Sequence, residues 1–141
     1  MNKTRCTIRL RNDQSETERL CDRLIAFGNE TGLTRKTINA VCVAVEELFT
    51  NIISYGFRDD GEHVVTVWVV YEDGTVRVRM EDDGVSFNPL GASDPDVKCT
   101  LEQSKIGGLG IYLARKLMDD FDYERRDGKN IIRLTKNAEL E

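Results

Sequence analysis

The chain has 141 residues, of which 40% are hydrophobic and 32% charged, with only two prolines. That length suits one compact domain, and the composition excludes the low-apolar, proline-rich signature of a disordered segment. A formal net charge of -5 and a sequence pI near 5.0 give unspecific nucleic-acid or anionic-lipid binding no electrostatic help.

From Thr4 to Arg11, apolar Cys6, Ile8 and Leu10 alternate with polar or charged neighbours, the period-two pattern of a half-buried strand. Residues 1 to 11 lack the apolar core of a signal peptide. No window is expected to reach the roughly 18 apolar residues that span a bilayer, so a cytoplasmic location is expected. Ser15-x-x-Glu18 reads as a capping box. Leu20, Leu24 and Phe27 follow at helical spacing until Gly32 offers a stop.

A longer helix is expected from Thr34 to Gly56, with Ile38, Val41, Val45, Leu48, Phe49 and Ile52 as its apolar stripe. Two runs rich in β-branched residues, 63 to 71 and 75 to 81, flank Glu72-Asp73-Gly74 and read as an antiparallel hairpin. Residues 82 to 106 carry Gly84, Pro89, Gly91 and Pro95 without regular apolar repeats, the mark of a long functional loop. Gly107-Gly108-Leu109-Gly110 then opens a helix whose apolar side is Ile111, Leu113, Ala114 and Leu117, ending at Asp119-Asp120. Residues 121 to 126 and 130 to 135, around Asp127-Gly128-Lys129, read as a final hairpin.

This order predicts an α+β two-layer sandwich over residues 1 to 141. Its mixed, mainly antiparallel sheet is covered on one face by helices, and the other face must be polar or bound. Cys6, Cys21, Cys42 and Cys99 form no C-x-x-C pair, and His63 has no cysteine at a metal-binding spacing, so free thiols are expected.

Three segments carry chemistry. In A-V-E-E-L-F-T-N-I-I-S-Y-G-F, residues 44 to 57, Glu47 and Asn51 stand four apart on an apolar helix, about 6 Å apart along the axis. An amide oxygen suits Mg²⁺, and a carboxylate beside it can orient or deprotonate a nucleophile, although a solvated helix face has the same pattern. In M-E-D-D-G-V-S-F-N-P, residues 80 to 89, Asp82 at a strand end can accept from an exocyclic amine. Gly84 admits a flat ligand close to backbone, and a plain turn is the alternative. In K-I-G-G-L-G-I-Y-L-A-R-K, residues 105 to 116, clustered glycines running into a helix start favour an anion such as a nucleotide phosphate, or else form a linker. Neither G-x-x-x-x-G-K-[ST] nor a dinucleotide-fold fingerprint is present, position 113 being leucine.

Together and in this order, the segments resemble the N box and two glycine boxes of the GHKL ATPases, whose ATP-binding domain has the Bergerat-type fold. In size the chain looks most like the anti-sigma-factor serine/threonine kinases, over about Arg5 to Lys136. The resemblance implies Glu47 as general base, Asn51 as Mg²⁺ ligand, and Asp82 as the reader of the adenine amino group. It implies Gly84 on the adenine side, Gly107, Gly108 and Gly110 on the phosphate side, and Lys105 as a phosphate contact. Residues 88 to 106 would be a lid over the triphosphate. Ser86 stands where the family's first glycine box usually has its second glycine. Glu46 beside Glu47 is set aside because only Glu47 is four residues before Asn51.

The implied activity is transfer of the γ-phosphate of Mg-ATP to a serine or threonine of a small anti-anti-sigma (STAS-type) partner. A sigma factor and a second copy of the chain are further implied partners, and transcription is the implied process. The alternative is a nucleotide-gated partner-switching module with little transfer; a third is a domain without ligand. A histidine autokinase is not expected, because His63 falls at a strand start and nothing here supplies a phosphoacceptor hairpin.

Overall fold

A computed structural model describes residues 3–57, 59, 61–86 and 108–138. The elements are β1 (Thr4–Arg11), a 3₁₀ turn (Gln14–Glu16), α1 (Thr17–Thr31), α2 (Arg35–Tyr55), β2 (Val64–Glu72), β3 (Thr75–Asp82), α3 (Gly108–Leu117), β4 (Asp120–Arg126) and β5 (Lys129–Asn137).

The strands form one sheet in the order β1-β2-β3-β5-β4. Every pairing among the described residues is antiparallel, so the expected mixed character is not seen. Both hairpins close on two residues with positive φ, Asp73-Gly74 (53° and 76°) and Asp127-Gly128 (51° and 77°). Such a turn twists in the same sense as its strands, which fixes the register Glu72↔Thr75 and Arg126↔Lys129. The last hairpin is longer than its apolar pattern suggests, reaching Asn137.

The expected capping box at Ser15 and Glu18 does not form. Asp13 instead accepts from the Ser15 amide at 3.0 Å and caps the 3₁₀ turn, and Glu16 within that turn pairs with Arg19 at 2.6 Å. The end of α1 is as read. Gly32 is left-handed, with its amide on Asn29 O and the Leu33 amide on Gly28 O, a Schellman motif. Thr34 caps α2 by accepting from the Thr37 amide.

The core lies between the sheet and the helices. Ile8, Leu10, Val65, Val67, Val69, Val76, Val78 and Met80 point inward from the strands, and the complete α2 stripe from Ile38 to Ile52 is buried against them. Full burial of each large side chain contributes about 1.5–3 kcal/mol before chain entropy is subtracted. The central helix α2 packs against both α1 and α3. On α3 the buried side is Ile111 and Ala114, continued by Met118 just past its end, whereas Leu113 is exposed, contrary to its expected place.

The open face of the sheet is charged, with Arg79 over the Trp68 ring and paired to Glu81, and Arg133 paired to Glu124. Arg35–Ser54 is long and apolar enough to cross a membrane, at a mean hydropathy of 1.3, which corrects the expectation that no window comes close. However, 56% of that window is buried inside the fold. Cys6, Cys21 and Cys42 are free thiols.

Candidate functional site

The site is assembled around the last three turns of α2. Asn51 is 6% exposed and donates its Nδ2 to the Glu47 carbonyl oxygen at 2.9 Å, so the side chains stay on one face, one turn apart. The two neighbouring acids are sorted by the helix period. Glu46 turns toward α1 and accepts from the Cys21 thiol at 3.4 Å. Burial, with Glu46 second, pushes that thiol up to about 12, so it remains a donor. Glu47 turns toward α3, where a Cβ on Gly110 would fall on Glu47 Oε2 and within 3.3 Å of its Cδ. Only glycine permits that approach, and it sets the first turn of α3 directly against the Glu47 carboxylate.

Gly108 is the first residue of α3 and Gly110 the third. The expected glycine loop is thus partly the opening turn of the helix, where backbone amides have no helical acceptor and the dipole favours an anion. Gly107, Lys105 and the expected lid, residues 88 to 106, lie outside the described residues.

At the other end of α2, the Val85 amide donates to Gly56 O at 2.7 Å. That bond ties the loop after β3 to the helix terminus. A Cβ on the buried Gly84 would fall on Gly56 O and come within 2.9 Å of Asp82 Oδ1. Asp82 is 4% exposed, and its Oδ1 accepts from the Gly84 amide at 2.8 Å and from Asn130 Nδ2 at 3.1 Å. Burial raises its carboxyl above the usual carboxylate range, and the bonds from Asn130 and Gly84 act against that rise. Ser86 is exposed beyond this turn.

Three further side chains that hold the Asp82 turn have no signal in the chemistry-bearing segments. Asn130 also donates to Val85 O at 2.8 Å, Tyr123 donates its hydroxyl to Asn130 Oδ1 at 2.6 Å, and Arg125 donates to Gly84 O at 2.7 Å. They come from the last hairpin, which the register Asp82↔Asn130 brings beside β3. A polar Asn130 at an inward strand position was the available hint.

No group of three His, Cys, Asp or Glu side chains among the described residues could hold a metal alone. A magnesium ion fits a sparser arrangement, because it keeps waters and substrate phosphates and takes few protein oxygens. Asn51 suits that role, since its amide nitrogen is committed to Glu47 O and its oxygen is the other end of the amide. A cavity of about 620 Å³ around Lys36, Ala40 and Lys116 contains no candidate site residue. Chemistry rather than cavity size locates the site.

The model of the histidine kinase-like ATPase domain matches residues 10–136. A serine-protein kinase RsbW of Bacillus cereus (strain AH187) is 31% identical over 122 residues, which is 84% of this chain and 75% of that protein. Its counterpart in Listeria monocytogenes serovar 1/2a is 30% identical over 114 residues, 77% and 72% of the two chains. The crystal structure of the RsbU and RsbW domains of a Mycobacterium tuberculosis protein matches with a TM-score of 0.70 at 18% identity. It covers 96% of this chain and 32% of that longer one, a likeness of fold.

Proposed function

We propose, from the premise that this chain belongs to the histidine kinase-like ATPase domain family, that it is a serine/threonine protein kinase. It moves the γ-phosphate of Mg-ATP to a hydroxyl of a small partner protein of the anti-anti-sigma (STAS) type, and so controls a sigma factor. The observation that carries the reading is the Glu47 carboxylate set against Gly110, one helical turn from Asn51 and facing the opening of α3.

Each residue has a distinct task. Glu47 accepts the proton of the attacking serine or threonine hydroxyl as its oxygen bonds to the γ-phosphorus. The bond from that phosphorus to the β,γ-bridging oxygen breaks, and ADP leaves with the electron pair. Asn51 holds Mg²⁺ through its amide oxygen, and when bound the ion neutralises phosphate charge. Amides at the start of α3, with Gly107, Gly108, Gly110 and Lys105, receive the phosphates. Asp82 accepts from the adenine amino group beside Gly84 and Ser86. Catalysis of this kind is mostly positioning and charge neutralisation.

The test is calorimetric titration with ATP, with and without Mg²⁺, followed by label transfer from γ-labelled ATP to a candidate STAS-type partner. Mg²⁺-dependent binding and a labelled partner are expected. Binding of both ATP and partner without transfer would replace the kinase by a nucleotide-gated binding module.

A further inference from the structure

The hydrogen bonds around Asn130 leave its amide one orientation. Nδ2 faces Asp82 Oδ1 at 3.1 Å and Val85 O at 2.8 Å, both acceptors. Oδ1 faces the Tyr123 hydroxyl at 2.6 Å, and that hydroxyl can donate. Turning the amide over would place its oxygen against a carboxylate and a carbonyl, three acceptors with no proton among them. Tyr123 and Val85 thus lock Asn130, and Asn130 with the Gly84 amide occupies Asp82 Oδ1. Among the described residues, Asp82 Oδ2 receives no hydrogen bond.

This matters because an acidic group at 4% exposure has two ways to exist. As a carboxylate it only accepts, which suits the amine at position 6 of adenine and repels the oxygen at position 6 of guanine. As a protonated acid it can donate, and it would then accept a 6-oxo purine too. Burial favours the protonated form, and donors on the carboxylate favour the ionised one. Of the two donors on Asp82, the Gly84 amide belongs to its own turn, and the other, Asn130, comes from β5 and is itself held by Tyr123 of β4.

We propose that Asn130, its amide oriented by Tyr123, is the positioning residue that makes this site choose a 6-amino over a 6-oxo purine nucleotide. It does so by holding Asp82 as an acceptor-only carboxylate with Oδ2 left for the base. The proposal rests on the kinase reading of the site and names the residues that set its base selectivity.

The experiment measures dissociation constants for ATP and GTP with the full chain and Mg²⁺, over a range of pH. Wild type should prefer ATP strongly. Tyr123→Phe removes one hydroxyl and should leave the fold intact while narrowing the ATP-to-GTP ratio several-fold. Asn130→Ala should narrow it about tenfold or more, the scale of one buried bond to a charged group. Asn130→Asp supplies the sharpest readout. Two carboxylates at that distance share one proton, so ATP affinity should become pH-dependent, best in mildly acidic solution and falling as the pH rises. A purely structural role would lower thermal stability while leaving the ratio and the pH profile of folded protein unchanged, and that result would overturn the proposal, as would equal affinity of wild type for ATP and GTP. Wild type that binds neither nucleotide would instead remove the kinase reading and this proposal with it.

Discussion

The C-terminal half of α2 and the end of β3 carry the two halves of the proposed site, and they are built in opposite ways. Glu47 and Asn51 sit on a single helix, and its period alone places them on one face with an amide-to-carbonyl bond of 2.9 Å between them. Asp82 becomes a defined acceptor only when Asn130 arrives from 48 residues further along the chain, accompanied by Tyr123 and Arg125. One half is set within a single helix and needs from elsewhere the space that Gly110 leaves beside Glu47. The other depends on strand register, and a slip of one residue between β3 and β5 would turn Asn130 to the open face.

The largest effect should come from crowding the local half. Gly110→Val places a branched side chain on the Glu47 carboxylate, so ATP affinity is expected to fall by about two orders of magnitude or more while the sheet stays folded. Calorimetry together with circular dichroism checks this. Near-normal binding by that variant would break the link between α2 and the opening of α3.

A smaller effect is expected beside the distributed half, at His63. Its ring nitrogens lie 2.8 Å from Asp59 and 3.0 Å from Asp83, and the ring stacks on Phe57. Glu62, Glu81 and Lys129 line the same small cavity. Both carboxylates can only accept, so both nitrogens must donate, and the bond to Asp59 chiefly raises the imidazole above its ordinary 6.5. A group raised in the folded state stabilises fully below its unfolded pKa and loses that stabilisation as pH climbs through the folded value. Wild type should therefore melt above His63→Gln near pH 6, and the gap should close as the solution becomes alkaline. Because Asp59 is 69% exposed, solvent screening keeps the shift to a few degrees at most. A gap that widens with pH would contradict the assignment.

Legibility in the sequence follows the same division. The α2 stripe, the α2 start near Thr34, the Gly32 stop and both hairpin turns are set by neighbours within a few residues, and each stands where the sequence places it. The relation of Glu47 to Asn51 is legible for that reason. The capping box at Ser15 fails because Asp13 takes the Ser15 amide that Glu18 would have capped, a choice between two local solutions that spacing cannot rank. Leu113 is misplaced because ten residues of helix carry too few apolar positions to fix the phase of its buried side. Asn130, Tyr123 and Arg125 are illegible for a stronger reason: their meaning lies in which strand pairs with which, and no short-range pattern encodes that β5 is inserted between β3 and β4.

The central claim is that Glu47 takes the proton while Asn51 holds the metal. It is tested most directly by comparing label transfer from γ-labelled ATP with calorimetric ATP affinity in Glu47→Ala, Asn51→Ala and Glu46→Ala. Glu47→Ala should keep its ATP affinity within a few-fold while transfer falls by roughly two to four orders of magnitude, because only the base is lost. Asn51→Ala should lose affinity and transfer together, and Glu46→Ala, which faces Cys21, should stay near wild type on both. Transfer by Glu47→Ala within about tenfold of wild type, or its full loss in Glu46→Ala instead, would contradict the account.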